Sequence, residues 1–458
     1  MNIIVIVADS LRADHVGCYG GKAKTPNIDR FAADAMVFDQ AYSENLPTLP
    51  CRTAWWTGRH LFTQRGWQQF EHSDYLLAEV LWDKGFASAL VTDVYHMHKP
   101  VFNAGRGFDT TVFVRGQEYD PWVVDDSIDV DITARHRLRG DDSDDLWRPR
   151  FEQYLRNTAG FETEEDYFVA RVASEAIRWL DYVTQRQKDN LFLWVDCFDP
   201  HEPWDPPEPY RSMYDPDYAG HEIIDPAPGP VDGYMTPDEL KHTLALYAGE
   251  VSFVDKWVGV LLDRVRELGL WDNSLIMFTS DHGEPFGEHG IVRKARPWGY
   301  EELAHIPWIV RHPGGVGAGQ RCPAFVQPPD LMPTVLDLLD IPPQLTLPFK
   351  APVRLTFPQD RIVASRDITL HGHSMLPLLR GEADRIRDFA VTAHHKAEWT
   401  IRTDEWTYLL PLVANRQPEL YHRNTDLAEQ HNVVADHADV ADALELTLRR
   451  FAEHVSRT

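Results

Sequence analysis

The sequence predicts an α/β fold in which a mainly parallel sheet is covered by helices on both faces. Two observations support this. Short, uninterrupted apolar runs alternate along the chain with longer helix-like segments, as expected where crossover helices connect parallel strands that are buried on both faces. The 458 residues, 43% of them hydrophobic and 25% charged, have the composition of a globular protein with a large core.

The alternation can be followed element by element. A first strand at Ile3 to Val7 starts the sheet, and a proline-initiated segment predicts the first helix. The remaining elements repeat the pattern as strand, helix, strand, helix and strand. In chain order we predict a helix near Thr25 to Ala35, a strand at Ala87 to Thr92, a helix at Ala170 to Val183, a strand at Leu191 to Cys197, a helix at Leu244 to Leu268 and a strand at Leu275 to Thr279.

Two segments interrupt the alternation, and the end of the chain changes character. Residues 116–165 are polar and acidic, and residues 200–237 are dense in proline, so both are predicted to be surface insertions. From Ala390 the pattern becomes short and hairpin-like, followed by a terminal helix at about Asp436 to Val455. We therefore predict a catalytic α/β domain at 1–389 and a small α+β C-terminal subdomain at 390–458.

Charge and cysteine content restrict the partners. The formal net charge of −26 argues against nucleic acid, whose phosphate backbone this field would repel, but a small anionic ester can still bind beside local cations. No apolar stretch approaches the roughly twenty residues of a membrane span, and the first residues lack the basic region of a signal peptide. Four cysteines at irregular spacing indicate a reducing compartment, so a cytoplasmic location is expected. A homo-oligomer is left open.

Polar residues that follow the predicted strands indicate a metal site. Asp9 follows the first strand, Asp199 and His201 follow the strand at Leu191, and Asp281 and His282 follow the last one. Because the functional site of an open α/β sheet lies beyond the carboxyl ends of its strands, these side chains are expected to converge. Carboxylate oxygens together with an imidazole suit a divalent cation.

The segment from Asn45 to Arg59, NLPTLPCRTAWWTGR, resembles the signature of the sulfatase family of the alkaline phosphatase superfamily. Pro50, Arg52, Thr57 and Gly58 are in register with that signature, which places Thr48 at the nucleophile position. Further matches extend along most of the chain, including Thr25-Pro-Asn-Ile-Asp-Arg30, Asp199-Pro-His-Glu-Pro-Trp204, Thr279-Ser-Asp-His-Gly-Glu284 and His373-Ser-Met-Leu-Pro-Leu-Leu379. The resemblance implies an alkaline-phosphatase-like fold and a metal-dependent ester hydrolase.

The resemblance also assigns roles. Asp9, Asp281, His282 and Thr48 would hold one divalent metal ion, with Mn²⁺ or Zn²⁺ favoured and Ca²⁺ also compatible. Thr48 would attack the ester in line and form a phospho-threonine that water later hydrolyses. A nucleophile at a helix N-terminus is electrostatically favoured, and Arg52, one turn later, is expected to point its guanidinium at the ester oxygens. His201 and Lys294 would bind the ester or protonate the leaving group.

Several positions depart from the family pattern. Threonine cannot supply the formylglycine that sulfatases make from Cys or Ser, and Cys51 occupies a later motif position. Ser10 replaces the second acid of the usual Asp-Asp pair. The Lys and His of the family's Gly-Lys-Trp-His stretch are missing from Thr92-Asp-Val-Tyr95. Tyr95 and His96 are expected to supply substrate contacts instead.

Threonine at the nucleophile position resembles the phosphodiester-cleaving and phosphotransfer branches of the superfamily. The leading hypothesis is therefore a hydrolase of phosphodiester or phosphonate-type esters. A sulfuric ester hydrolase acting on a small sulfate ester is the alternative within the enzyme class, since a sulfate ester carries less charge. A non-catalytic, sulfatase-like binding protein is the alternative outside it.

Overall fold

The computed structural model describes residues 1–294, 298–342, 344–347 and 364–457. Its strands, in chain order, are β1 (Asn2–Ala8), β2 (Met36–Ala41), β3 (Asn45–Leu46), β4 (Ala87–Thr92), β5 (Thr110–Phe113), β6 (Leu191–Cys197), β7 (Gly229–Pro230), β8 (Ser274–Thr279), β9 (Ile291–Val292), β10 (Trp308–Arg311), β11 (Arg321–Val326), β12 (Gln344–Leu347), β13 (Ala364–Asp367), β14 (Ala390–His394), β15 (Glu398–Arg402), β16 (Trp406–Pro411) and β17 (Glu419–His422).

The helices cover both faces of the main sheet and the outside of the small one. They are α1 (Pro26–Ala33), α2 (Thr48–Thr57), α3 (Leu77–Asp83), α4 (Tyr95–His98), α5 (Asp144–Thr158), α6 (Phe168–Val183), α7 (Pro237–Glu267), α8 (Glu301–Ala304), α9 (Leu331–Leu338), α10 (Leu376–Leu379) and α11 (Ala438–Arg457). None of the described helices is long and apolar enough to cross a lipid bilayer.

The main sheet has eight strands in the order β11-β2-β10-β8-β1-β6-β4-β5. Strand β1 lies between β8 and β6 and is parallel to both, whereas β10 is antiparallel to β8 and β2. Alternate residues of β1 enter two different cores. Ile4 and Ile6 pack with the cluster of α1, α6 and α7, and Ile3, Val5 and Val7 pack with that of α2, α3 and α9. The predicted mainly parallel sheet between helices is confirmed.

A second sheet of five strands, in the order β17-β16-β15-β14-β3, forms the C-terminal subdomain together with α11. Its last member comes from far upstream. Strand β3 is parallel to β14, with Asn45 opposite Ala393 and Leu46 opposite His394. The segment directly before the predicted nucleophile is thus built into the small sheet. The exact division at residue 389 stays a prediction.

The acidic insertion is more ordered than the sequence suggests. Residues 144–158 form α5, a helix that contains Pro149 and buries only Phe151, Tyr154 and Asn157. The predicted helix at Leu244 begins seven residues earlier, at Pro237, because a capping box between Thr236 and Glu239 starts it within a polar stretch. The terminal helix begins at Ala438, two residues after Asp436.

Candidate active site

Two adjacent parallel strands, β1 and β8, end at one edge of the main sheet, where they place three of the predicted metal ligands together. Asp9 follows β1, and Asp281 and His282 follow β8. Each of these three buried residues offers one ligand atom, and the three atoms lie within 4.8 Å of one another. The predicted clustering is therefore confirmed, and the reason is the parallel register, which aligns Val7 of β1 with Thr279 of β8.

Thr48 is the first residue of α2 and lies against this group. Its Oγ1 atom is 3.4 Å from Nε2 of His282. The other ring nitrogen of His282, Nδ1, is 2.8 Å from the carbonyl oxygen of Gly283 and donates to it in the neutral ring. Burial lowers the pKa of His282 to about 4. The Nε2 lone pair is thus free to face Thr48 and the carboxylates.

Arg52 lies beneath the site and not in it. The fully buried guanidinium binds both carboxylate oxygens of Asp196, at 2.6 and 2.9 Å, and reaches Asp281 at 2.6 Å and Asp9 at 3.1 Å. It also donates to the carbonyl oxygen of Thr48 at 3.1 Å. These contacts occupy all of its donors, which corrects the expected contact with ester oxygens. The physical reason is that a side chain one turn into α2 points back toward the helix N-terminus and the strand ends.

The local charge fits a divalent cation. Three buried carboxylates, Asp9, Asp196 and Asp281, share the single positive charge of Arg52, so two negative charges are in excess when all three carboxylates are ionised. Burial, reinforced by the charge of Asp281, holds the pKa of Asp9 well above its usual range. In addition, Nε2 of His282 faces Asp9 at 3.8 Å and Asp281 at 3.5 Å. The Nε2 lone pair of His282 and the two carboxylates repel one another, and a cation that lies between these three groups stabilises the arrangement.

Ser10 connects the metal group to Lys294. Its backbone has a left-handed φ of 58°, which directs its N–H to Asp281 at 3.1 Å and its hydroxyl to Asp9 at 3.0 Å. The Lys294 ammonium lies 3.3 Å from the Ser10 hydroxyl and is also bound by Glu202 and Glu284. Burial acts to lower the pKa of Lys294, but these two carboxylates outweigh it and hold the pKa above its ordinary value.

His201 is buried on the same side of the sheet, near Lys294. Its Nδ1 is 2.8 Å from the carbonyl oxygen of Glu202, and its ring lies 3.9 Å from that of Phe198. Burial holds the pKa of His201 well below its usual value. Asp199, which also follows β6, instead accepts hydrogen bonds from Gln117 and from the backbone N–H of Val169. The structure therefore separates Asp199 from the metal group.

Tyr95 and His96, expected to contact substrate, lie in α4 at the outer side of the site. The His96 ring packs edge-on against Trp67 at 4.8 Å, and its Nε2 lies 3.2 Å from Glu118. The Tyr95 ring is 5.1 Å from that of Tyr119. Within the described residues, neither side chain hydrogen-bonds to Thr48 or to the metal group. Their expected substrate contacts stay predictions.

Three acidic residues of the site were not identified from the sequence. Asp196 holds Arg52, and Glu202 and Glu284 hold Lys294. A signal for Asp196 was available, because it is the one charged residue within the apolar strand LFLWVDC. A charge inside a strand that is buried on both faces must have a buried partner.

Comparison with known proteins gives consistent matches. The sequence model of the sulfatase family matches residues 1–341. A multifunctional alkaline phosphatase superfamily protein, PehA, from Trinickia caryophylli is 26% identical over 393 residues, which cover 74% of this chain and 73% of that protein. An arylsulfatase from Clostridium perfringens is 26% identical over 378 residues, with 74% and 75% covered. The crystal structure of a phosphonate monoester hydrolase from Agrobacterium radiobacter has a TM-score of 0.74 at 22% identity, covering 98% of this chain and 96% of that one.

Proposed function

Because this chain belongs to the sulfatase family and is an ester hydrolase, we propose that it cleaves phosphodiester or phosphonate-type esters through Thr48. The observation that carries the proposal is the position of Thr48, whose Oγ1 lies 3.4 Å from the unprotonated side of His282 at the start of α2. The side chain is a plain hydroxyl with no route to formylglycine, so the attacking atom is an alcohol oxygen.

The proposed reaction consists of two successive displacements at phosphorus. Oγ1 of Thr48 gives up its proton to water and forms a bond to phosphorus, while the bond from phosphorus to the leaving alcohol breaks and the alcohol oxygen takes up a proton. Water then attacks the phospho-threonine and releases the second product together with free Thr48. The start of α2 supports the added negative charge, because the N–H groups of Thr48 and Leu49 have no partners within the helix and the positive end of the helix dipole lies there.

The residues around Thr48 fit one divalent cation, held by Asp9, Asp281, His282 and the Thr48 hydroxyl. When bound, such a cation lowers the pKa of the hydroxyl and offsets charge on a non-bridging ester oxygen. The chain's own contribution is to keep the ligands in place. Arg52 fixes one oxygen of each carboxylate, and Ser10 donates to the other oxygen of both.

Lys294 and His201 take different parts in this scheme. Lys294 is a protonated ammonium at the edge of the metal group, and the proton that it directs at the Ser10 hydroxyl can instead be donated to an ester oxygen or to the departing alcohol. His201 donates its Nδ1 proton to the Glu202 carbonyl and remains neutral, which leaves Nε2 as an acceptor. We therefore assign proton donation to Lys294, and to His201 the orientation of a hydroxyl on the substrate or of the attacking water.

Sulfate ester hydrolysis is the second candidate, because one of the relatives is an arylsulfatase. A panel of aryl sulfates, phosphates, phosphodiesters and phosphonates, combined with elemental analysis of the purified protein, distinguishes the two. We expect the highest kcat/KM on a phosphodiester or a phosphonate monoester. A sulfate as the best substrate would overturn the proposal, and no turnover with any metal would support the non-catalytic alternative. A cytoplasmic location also belongs to the proposal and stays a prediction.

Replacing the nucleophile tests the mechanism directly. Thr48→Ala should lower kcat by up to about a million-fold, the typical cost of losing a covalent nucleophile, whereas Thr48→Ser should keep part of the activity. Thr53→Ala is the matched control, because Thr53 is also buried in α2 but donates only to the carbonyl oxygen of Leu49. If Thr48→Ala is nearly as active as wild type, with its fold and metal content intact, water is the nucleophile.

The chemical state of the nucleophile can be checked separately. Intact-peptide mass spectrometry should find Thr48 unmodified, because its side chain is a secondary alcohol. Cys51 should also be unmodified, since its side chain is fully buried. A mass change corresponding to formylglycine at either residue would refute the assignment of Thr48.

A further inference from the structure

Five partly buried side chains form a cluster, which we name the ring patch: Tyr95, Lys99, Tyr119, Trp147 and Arg150. The Tyr95 and Tyr119 rings are 5.1 Å apart, and the Lys99 ammonium lies 4.6 Å from the centre of the Tyr95 ring. The Arg150 guanidinium is 4.3 Å from the Tyr119 ring and 4.8 Å from that of Trp147. Aromatic faces and guanidinium groups in such an arrangement bind flat rings by stacking and by cation–π attraction.

The two cations of the ring patch differ from most buried cations of this chain. Within the described residues, neither Lys99 nor Arg150 has a carboxylate within ion-pair distance. The nearby acids are engaged elsewhere, because Glu118 lies against His96 and Asp120 is bound at two points by Arg115. In a protein of net charge −26 the ring patch therefore carries local positive charge. Such charge attracts an anionic group on a ligand.

A continuous series of contacts joins the ring patch to the nucleophile region. Trp147 lies under the guanidinium of Arg293, at 5.1 Å. Arg293 forms an ion pair with Glu202, which also binds the adjacent Lys294 at 3.1 Å. Lys294 in turn reaches Ser10 beside Asp9. Arg293 and Glu202 therefore connect Trp147 of the ring patch to the residue that we assign as proton donor to the departing alcohol.

The geometry points to the ring patch as the leaving-group subsite, so we propose that the released alcohol is a ring with a flat apolar face and a second anionic group. The ring would stack on Tyr119 and Trp147, and its anionic group would bind Arg150 and Lys99. Phenols with a carboxylate and sugars with a carboxylate share this chemistry. The assignment rests on the proposed function, since only an ester hydrolase has a leaving group.

Binding of free alcohols tests the subsite without any turnover. The probes are 3-hydroxybenzoate with its neutral counterpart 3-hydroxybenzamide, and glucuronate with neutral glucose, titrated in saturating inorganic phosphate so that the ester-binding site is filled. We expect at least one anion to bind about tenfold more tightly than its neutral counterpart, which is typical of a charge-assisted hydrogen bond. Whether the aryl or the sugar pair shows the preference identifies the ring.

Variants of two ring-patch residues test whether the preference for the anion depends on this cluster. Arg150→Ala should remove the tenfold preference, and Tyr119→Leu should weaken the anionic and the neutral ring alike. Arg148→Ala is the matched control, because Arg148 is exposed on the same helix, on the other side of Pro149, and is not part of the ring patch. Circular dichroism of each variant verifies that the fold is retained.

The outcomes separate the two proposals. Absence of any anion preference in the wild type, or equal losses in Arg148→Ala and Arg150→Ala, would overturn the subsite. An Arg150-dependent preference in a protein that hydrolyses no ester of the panel would instead refute the proposed function and leave a binding site for anionic rings. Turnover together with the Arg150-dependent preference supports both.

Discussion

At the scale of single residues, Arg52 shows how a motif residue can have a role other than the expected one. The motif spacing correctly placed Arg52 one turn after Thr48, but the guanidinium is shared among Asp9, Asp196 and Asp281. Sequence spacing predicts the direction in which a helical side chain points, but it does not predict which groups that side chain contacts. Asp196, which completes the arrangement, lies within β6 and in no motif, so the sequence indicates a buried partner for it but does not identify that partner as Arg52.

Removing Arg52 should therefore destabilise the protein as well as impair catalysis. Arg52→Ala leaves three buried carboxylates without a counter-charge, for which we expect the free energy of unfolding to fall by about 3–5 kcal/mol. Arg52→Lys should lose less, since it keeps the charge but not the two-point contact with Asp196. Denaturant unfolding in the presence of a chelator measures both.

The exposed pair of Arg30 and Asp263 provides the control for this experiment. Both side chains are about half exposed, and Arg30→Ala should change the free energy of unfolding by less than about 1 kcal/mol. Equal unfolding midpoints for Arg52→Ala and wild type would contradict the buried arrangement.

Glu44 gives a pH dependence that does not involve the metal group. Burial raises its pKa to about 8, and its Oε1 lies 3.3 Å from Nδ1 of His60. Glu44 is thus neutral in the folded protein at pH 6, although it would be ionised in the unfolded chain. Its contribution to stability is fully present below its ordinary pKa, near 4.5, and is lost as the pH rises through about 8.

The variant Glu44→Gln should remove this dependence, because the amide does not ionise and its oxygen can still accept from the backbone N–H of Leu61. We expect its stability advantage over wild type to be larger at pH 9 than at pH 6 by on the order of a few kcal/mol, because the wild type loses stability as the pH rises from about 4.5 to about 8. Urea unfolding at both pH values measures the difference, with the exposed Glu382→Gln as control. A constant difference between Glu44→Gln and wild type at the two pH values would disprove the assigned shift.

At the scale of elements, the buried helices and strands were predicted more accurately from the sequence than the exposed ones. Strands β1, β4, β6 and β8 were predicted to within one residue at each end, because strands buried on both faces are uninterrupted apolar runs. Helix α5 was missed because it is polar on most of its surface and contains a proline. Since α5 carries Trp147 and Arg150, the ring patch could not be foreseen either.

The adjacent ends of β1 and β8 make the site sensitive to chelation. Loss of the cation leaves two uncompensated negative charges among the three carboxylates, so a chelator should abolish turnover and lower the melting temperature. Arg52 still binds Asp9 and Asp281, which limits the destabilisation relative to a bare pair of acids. Return of Mn²⁺ or Zn²⁺ should restore both quantities. Unchanged turnover after all detectable metal is removed would exclude the metal site.

At the scale of the whole molecule, the C-terminal subdomain is part of the catalytic architecture. Beyond the pairing of β3 with β14, Glu398 accepts from the backbone N–H of Gly299 and Glu429 from that of Glu301. The change to hairpin-like patterning at residue 390 predicted a small separate unit. Its contacts with distant segments could not be predicted, because strand pairing between residues so far apart leaves no local signal.

Truncation after Phe389 should consequently give a protein that neither folds cooperatively nor turns over substrate. Loss of β14 to β17 together with α11 uncovers Phe62, which is buried against them, and leaves β3 unpaired. Circular dichroism, thermal unfolding and activity on the best ester measure this, and a chain shortened by its last two residues is the control. A cooperative and active 1–389 fragment would contradict the dependence.

The pairing of β3 with β14 also has a consequence for biosynthesis. A ribosome makes Thr48 early, but Leu46 obtains its strand partner, His394, only after most of the polypeptide has emerged. At about 5–20 residues per second, tens of seconds separate the two events. The nascent enzyme should therefore remain inactive until translation is nearly complete, and a chain that is terminated before His394 should have no hydrolase activity.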